Sequence, residues 1–240
     1  MLTIIFTITV CLPIYTVLLA SAGTWRDDFE DNNTREWKIY NLNRQVEKWW
    51  VNDNEAVGEI FEPGFMSLWL TGDLKWKNYS VSCRAKLVDD RNEPPTIGLT
   101  LHDRGEEDSR YLFFIDYVFD TVRIVKSVHD DWSSVRHFFA PEEDTWYQLK
   151  ATVYEEGDLE FSIKNLDADP DAEPQVFTAI DPDPLPGGQA GLVVADARVR
   201  FDDVEITGPN IPNGGPGRRT PQAVSPQSKL ATTWGKLKMK

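Results

Sequence analysis

The sequence predicts an all-β fold, a two-sheet antiparallel β-sandwich, on three observations. First, residues 78–87 alternate between apolar and polar side chains, which is the period of a half-buried strand. Second, about a dozen similar short runs recur along the chain with turn residues between them. Third, no amphipathic helix longer than a turn or two is visible, and the best place for a short one is Asn32–Trp37.

The predicted strands follow one another from residue 49 to residue 207. They cover Trp49–Asn52, Val57–Phe61, Met66–Leu70, Asn78–Leu87, Thr96–His102, Arg110–Tyr117, Thr121–Val128, Trp146–Tyr154, Leu159–Ile163, Gly191–Ala195 and Val199–Thr207. Acid-rich turns separate many of them, for example at 155–158. We expect one further segment, Asp27–Phe29, to pair with Asp202–Val204 of the last strand and close the sandwich.

Both ends of the chain differ in composition from the middle. Residues 1–22 are predicted to be a signal peptide, because an apolar run ends in the small-residue pattern Ala20-Ser21-Ala22; an uncleaved anchor is the alternative. The sandwich domain is predicted at 23–208, a Pro/Gly-rich linker at 209–228 and a basic tail at 229–240. Cleavage predicts a secreted, extracytoplasmic protein without membrane insertion, and the tail is a candidate for attachment to the cell surface.

The charge distribution limits the partners of the predicted domain. The chain has a net charge of −14, and its last 33 residues carry six cations and no acid. Residues 23–207 therefore hold 19 cations against 39 acids, a net charge of −20. Nucleic acid and anionic membranes need clustered Lys and Arg, so this charge argues against both. It equally fits an extracellular protein kept soluble by its charge.

The two cysteines predict no disulfide in the mature domain. Cys11 lies in the predicted signal peptide, which leaves Cys83 alone. Cys83 is in phase with the apolar positions of its strand, so we expect it to be a buried, unreactive side chain.

Several segments resemble the concanavalin A-like lectin/glucanase superfamily. They are the opening run 24–31, the Trp-containing run 70–81, the central runs 97–99 and 111–115, the run Trp146-Tyr-Gln-Leu-Lys150 and the closing run 200–204. The Trp146 run is similar to a strand of laminin G-like and 3-keto-disaccharide hydrolase-like domains. The resemblance covers residues 24–207. It implies a jelly roll of two curved sheets that meets ligands on its concave face or rim loops.

The chain shows no convincing catalytic constellation. A retaining glycosidase needs two carboxylates about 5 Å apart, and the nearest run, 106–111, lies in a predicted loop and has Tyr111 where family enzymes have a third acid. The asparagine-serine-glycine run of the 3-keto-disaccharide hydrolases is replaced by Thr96-Ile97-Gly98, and no serine lies in a nucleophile elbow. The resemblance leaves a glycoside hydrolase as the alternative to a binding protein.

Polar side chains in phase on neighbouring strands predict a ligand-binding floor, with an ordinary solvated face as the alternative. These are Arg84, His102, Arg110 and Asp116. Sugars also stack their apolar C–H faces on aromatic rings, and Trp50, Trp76 and Trp132 lie near turns or polar neighbours. We expect most of the remaining tryptophans, including Trp69 and Trp146, to pack in the core.

A structural calcium ion is the best metal candidate. If the two acid-rich terminal strands pair, carboxylates such as Asp28 converge there with backbone carbonyls, as a hard cation requires. The resemblance implies Asp202, the first Asp of the closing strand, as a calcium ligand. The alternative is that these acids solvate a strand edge.

Three functions are therefore open. The first is a secreted module that binds carbohydrate or a glycoconjugate without catalysis. The second is a glycoside hydrolase of the 3-keto-disaccharide hydrolase type. The third is a structural or adhesive surface module, which predicts an exposed apolar patch instead of a polar hollow.

Overall fold

The computed structural model describes residues 22–41, 48–90, 95–129, 131–168 and 171–217. Fifteen strands are found in this part of the chain: β1 Gly23–Asp27, β2 Lys38–Asn41, β3 Lys48–Asn52, β4 Glu55–Ile60, β5 Met66–Thr71, β6 Tyr79–Asp89, β7 Thr96–Asp103, β8 Ser109–Asp116, β9 Thr121–Val128, β10 Asp131–Phe138, β11 Trp146–Val153, β12 Asp158–Asn165, β13 Gln175–Ile180, β14 Gln189–Ala195 and β15 Ala197–Gly208. The helix in these residues is one 3-10 turn, Gly105–Glu107. No helix among them is long and apolar enough to cross a membrane.

The strands form two antiparallel sheets, which confirms the predicted sandwich. Sheet A has the order β13-β12-β11-β6-β15-β4-β3, with β1 also paired to β15. Sheet B has the order β10-β9-β8-β7-β14-β5-β2. Seven of the thirteen strand pairs among the described residues join strands that are not consecutive in sequence, so the fold depends on pairings between distant parts of the chain.

The core between the sheets is made by the apolar phase of each strand. On β6 the side chains of Tyr79, Val81, Cys83, Ala85 and Leu87 are buried, and those between them are half-buried. Cys83 is fully buried and burial raises the pKa of its thiol, as expected for an unreactive side chain.

The predicted closure of the sandwich is confirmed in part. β1 pairs with the last five residues of β15, and Asp27 lies opposite Val204. Phe29 is beyond the end of β1, where its left-handed backbone (φ 53°) turns the chain. The first part of the predicted linker was expected to lack regular structure. Instead it runs along the side of β1 that is not paired with β15, where the Gly214 carbonyl accepts a hydrogen bond from Arg26 N–H at 3.0 Å.

Four elements differ from the sequence prediction. β2, β10 and β13 were not expected, and they are short or largely exposed strands at the ends of the two sheets. Their side chains bury little apolar surface, so their sequences lack the alternation that marks a half-buried strand. The segment 32–37, expected as a helical turn, contains turns and irregular backbone that lead Trp37 into the core.

The two sheets differ in the face that is turned away from the core, which we call the outer face. The outer face of sheet A is polar and half-exposed along β6, β11 and β12. In sheet B, every side chain of β5, β7 and β8 is buried, including those of the outer face. A strand that is buried on both sides has a nearly continuous apolar sequence. The candidate site lies on the buried outer face of sheet B.

Candidate functional site

The outer face of sheet B carries an apolar floor. Its members are Met66, Leu68, Leu70, Leu112, Phe114, Val125, Val193 and Ala195, a cluster separate from the main core. Gly98 and Gly191 lie on the same face of the two central strands. A Cβ on Gly98 would lie 2.6 Å from the Phe114 Cβ, and one on Gly191 would lie 2.6 Å from Leu70. Because these glycines have no side chain, the neighbouring side chains can occupy the space above them.

Arg110 lies over one end of this floor and is almost completely buried. Its Nε donates to Asp103 at 3.0 Å and its Nη1 donates to Asp108 at 2.8 Å. Its guanidinium also stacks 5.2 Å from the ring centre of Tyr40, which comes from the far edge strand β2. Burial raises the pKa of Asp103, although Arg110 and two other hydrogen-bond donors oppose the rise. The side chain of Arg110 is held firmly by protein groups.

A pocket of about 230 Å³ opens on the same face, and Arg110 is part of its wall. Its lining comprises Gly64, Phe65, Met66, Thr96, Arg110, Phe114, Asp116, Arg123, Trp132, Ala195 and Asp196. We call it the Trp132 pocket, because the Trp132 indole stands at its rim and is 43% exposed. The pocket therefore combines an accessible aromatic ring, apolar walls and two carboxylates, Asp116 and Asp196.

Arg123 is the functional candidate that sequence reasoning missed. Its guanidinium lies 5.5 Å from the ring centre of Phe114 and its Nη1 is 3.7 Å from Asp116, too far for a hydrogen bond. Its Nε is buried and has no hydrogen-bond partner among the described residues. Burial and the charge of Arg136 lower the pKa of Arg123. The alternation of β9 was the available signal, since Arg123 is in phase with Thr121 and Ser127 on the polar side of a predicted strand.

The predicted polar floor is only half formed. Arg110 and Asp116 both line the Trp132 pocket, as expected from their phase on one strand. Arg84 belongs to sheet A, so it faces the opposite side of the molecule. There it pairs with Asp202 at 3.1 Å and stacks 4.7 Å from the ring centre of Trp146. The expectation that its strand neighbours that of His102 is wrong, because β6 and β7 follow each other in sequence but lie in different sheets.

His102 is also misplaced by the sequence prediction. Its backbone is left-handed (φ 52°) and the pairing of β7 with β14 shifts register at this point. The bulge interrupts the alternation, so Asp103 binds Arg110 while the His102 ring packs between Tyr79 and Tyr111. Its Nδ1 donates to the Leu185 carbonyl at 3.2 Å, and burial lowers the pKa of the ring to about 4. His102 is a buried neutral side chain outside the pocket.

The three tryptophans predicted to bind ligand have three different environments. Trp132 stands at the pocket rim, as described above. Trp76 is buried in the core against Tyr79, which contradicts its expected place in a site. Trp50 is half-buried on the outer face of sheet A, since its neighbour Trp49 points into the core. Trp146 was expected in the core but lies on that same outer face beneath Arg84.

The predicted calcium ligands already have other partners. Asp202 accepts hydrogen bonds from the Arg84 guanidinium and from the Asp203 backbone N–H. The neighbouring Asp27 accepts from Trp37 Nε1 at 2.7 Å and from Phe29 N–H at 2.9 Å. Asp28 lies beside a hollow of about 370 Å³. No group of three or more metal-ligating side chains is found in the described residues. This donor set does not fit a calcium cage, and the ion stays a prediction of the resemblance.

Another hollow, of about 440 Å³, lies on the outer face of sheet A. Ser82, Gln148, Lys150, Ser162, Lys164, Pro174, Asp203 and Glu205 line it. It is larger than the Trp132 pocket but contains no aromatic ring, so it offers hydrogen bonds without a stacking surface.

Comparison with known proteins supports the fold and not a particular family. No family model and no curated protein matches the chain. The carbohydrate-binding module CBM66 from Bacillus subtilis is 19% identical over 71% of this chain and 94% of that one, with a TM-score of 0.54. A protein of unknown function with a galectin-like fold, also from Bacillus subtilis, is 12% identical over 76% and 94% (TM-score 0.55). A legume lectin-like domain from Entamoeba histolytica is 12% identical over 77% and 95% (TM-score 0.52).

These similarities confirm the jelly-roll sandwich that the resemblance predicted. They do not separate a laminin G-like domain from a hydrolase-like one. At identities of this size the agreement concerns the path of the chain and carries no site residue across.

Proposed function

We propose that this protein binds carbohydrate in the Trp132 pocket, on the outer face of sheet B, and that it acts outside the cell. The observation that carries the proposal is the exposed Trp132 indole, which lines the same pocket as the carboxylates of Asp116 and Asp196. An aromatic ring stacks on the apolar face of a sugar, and carboxylates accept hydrogen bonds from its hydroxyl groups. Several proteins of similar fold are named as lectins or carbohydrate-binding modules, which agrees with this choice.

The size of the pocket limits the ligand. A volume of about 230 Å³ is below the roughly 300–1,000 Å³ of pockets for drug-sized molecules. We therefore propose that a single sugar unit occupies the pocket and that the rest of a longer glycan lies outside it. The alternative hollow on sheet A has polar groups of the right kind, and the absence of a ring is the reason to place it second.

A glycan array with purified protein tests the proposal, using Trp132→Ala as the variant. Truncating a central tryptophan in a binding site costs about 2 kcal/mol, so we expect affinity to fall by about 30-fold. Lys150→Ala in the sheet A hollow and Trp50→Ala on the same outer face are the controls and should bind like wild type. Loss of binding in Lys150→Ala with normal binding in Trp132→Ala would move the site to sheet A.

One observation favours the hydrolase alternative. Asp116 and Asp196 line the same pocket, and a pair of carboxylates is the minimum that glycoside hydrolysis requires. The glycans that bind should therefore be incubated with the protein and analysed for products. Release of sugar that is lost in both Asp116→Asn and Asp196→Asn would replace the binding proposal with hydrolysis.

A further inference from the structure

Two arginines lie directly opposite each other beside the Trp132 pocket. Arg123 on β9 and Arg136 on β10 are paired in register, so both side chains project from the outer face of sheet B. Like charges in directly opposite positions destabilise a strand pair. The domain is strongly acidic as a whole, so two adjacent cations on this face need a separate explanation.

The described residues supply little negative charge to neutralise this pair. Asp116 is 3.7 Å from Arg123, and no ion pair of Arg136 is found within the described part of the chain. Asp196, the other carboxylate of the pocket, accepts from Gly64 N–H at 3.4 Å. By contrast, Arg110 on the same face has two carboxylates and a carbonyl as partners. The Arg123–Arg136 pair therefore has less compensating negative charge nearby than Arg110 has.

One of these two strands, β9, carries two buried polar atoms that have no partner among the described residues. Arg123 Nε and Thr121 Oγ1 are both buried and make no hydrogen bond with the described residues. Thr121 and Arg123 occupy consecutive outer-face positions of β9. A buried polar group that lacks a partner costs about 1–3 kcal/mol, and an arriving acceptor group would remove this cost. The donors point to a ligand rich in acceptors.

We infer that the ligand of the Trp132 pocket is an acidic glycan, whose anionic group binds between Arg123 and Arg136 while its ring stacks on Trp132. The inference rests on the proposed function and names its substrate class. A carboxylate or a sulfate ester presents oxygens that two guanidinium groups can hold by charge-assisted hydrogen bonds. Asp116, which also lines the pocket, can accept a hydrogen bond from a sugar hydroxyl.

Matched pairs of short oligosaccharides test the inference by calorimetry. Oligogalacturonate is compared with its methyl ester, and sulfated carrageenan oligosaccharides with the desulfated form. Short chains are used because the net charge of the domain repels a long polyanion. We expect at least one acidic member to bind about tenfold or more tightly than its neutral partner, since a hydrogen bond to a charged group contributes about 1.5–3 kcal/mol. The pair that shows the difference identifies carboxylate or sulfate as the group recognised.

Arg136→Gln is the decisive variant, because the side chain is exposed and its loss leaves the core intact. It should remove most of the preference for the acidic member and leave the affinity for the neutral one unchanged. Arg84→Gln, on the opposite outer face, is the matched control and should change neither. Equal binding of acidic and neutral members, with no effect of Arg136→Gln, would overturn the inference. If Trp132→Ala still matters in that case, the proposed function stands without it.

Discussion

The two outer faces of this sandwich are made from the same kind of strand and yet have opposite properties. On sheet A, polar side chains alternate with buried ones, and charges such as Arg84 and Asp202 form half-exposed ion pairs. On the central strands β5, β7 and β8 of sheet B the outer side chains are buried and mostly apolar, and the charged pair Arg110–Asp103 is almost completely removed from water. Sheet A therefore presents a surface, whereas sheet B presents a second, smaller core with a pocket at its end.

This difference explains where a ligand gains most from binding. Electrostatic interactions and hydrogen bonds are stronger where water is excluded. Apolar walls contribute to binding when the ligand covers them and removes their surface from water. The sheet A hollow is larger, but its lining residues are all half-exposed or exposed, so its polar groups would exchange water for ligand with little net gain. The Trp132 pocket offers fewer polar groups, and most of its lining residues are buried. The comparison predicts that equivalent substitutions on the two faces have unequal consequences.

The largest difference in stability is expected between variants of two aspartates that pair with arginine, Asp103 on sheet B and Asp202 on sheet A. Asp103→Ala leaves Arg110 buried with one carboxylate fewer and removes acceptors from Thr100 and Gly105 N–H. Losing one partner of a buried pair costs about 3–5 kcal/mol. Asp202→Ala leaves Arg84 free to be hydrated, and such half-exposed pairs contribute about 0–1 kcal/mol. Chemical unfolding of both variants measures the two free energies of unfolding.

The outcome that contradicts the comparison is equal destabilisation by the two substitutions. If Asp103→Ala does not fold, Asp103→Asn retains the shape of the side chain and the same ranking against Asp202→Asn is expected. A stable, unaltered Asp103→Asn would show that the second core of sheet B does not depend on its charged pair.

The accuracy of the predictions made from the sequence also differs between the two sheets. Period-two alternation identified β6 and β11 of sheet A almost to the residue, because one side of each faces water. In sheet B the continuous apolar runs of β5 and β8 predicted that these segments are strands. The runs did not predict which residues bury the outer face of these strands. Arg110, Asp116 and Trp132, which were predicted from phase and residue type, line the Trp132 pocket. Arg123 was missed, and His102 was misplaced because a single left-handed residue reverses the phase, which no propensity predicts.

Each sheet also holds a buried group whose pKa is shifted within the acid range, His102 in sheet B and Asp27 in sheet A, and the two should respond to acid in opposite directions. His102 in sheet B has a pKa of about 4, below its unfolded value of 6.5, so its contribution to stability is present above pH 6.5 and is lost as the pH falls towards 4. Asp27 in sheet A has a pKa raised by burial to about 6 from 3.8. Its contribution is present below pH 3.8 and is lost as the pH rises through 6.

Urea unfolding between pH 4 and pH 8 separates the two groups. In wild type their slopes oppose each other within this window. His102→Phe leaves the Asp27 effect, so the variant should gain stability on acidification, by an amount on the order of 3 kcal/mol. Asp27→Asn leaves the His102 effect and should lose stability on acidification by a similar amount. Identical pH profiles for wild type and both variants would remove these groups from the explanation.

The smallest effect is expected from the removal of divalent cations, which tests the calcium prediction on sheet A. Calcium at Asp202 must compete with the Arg84 guanidinium for the same carboxylate, so EDTA should shift the thermal midpoint of wild type by less than about 1 °C. Arg84→Gln removes the competitor and leaves Asp202 and Asp203 with uncompensated charge on one strand. Added calcium should therefore stabilise this variant more than wild type. A large EDTA-induced fall in the wild-type midpoint would mean that the ion displaces Arg84, and that the outer face of sheet A is organised by a metal instead of by ion pairs.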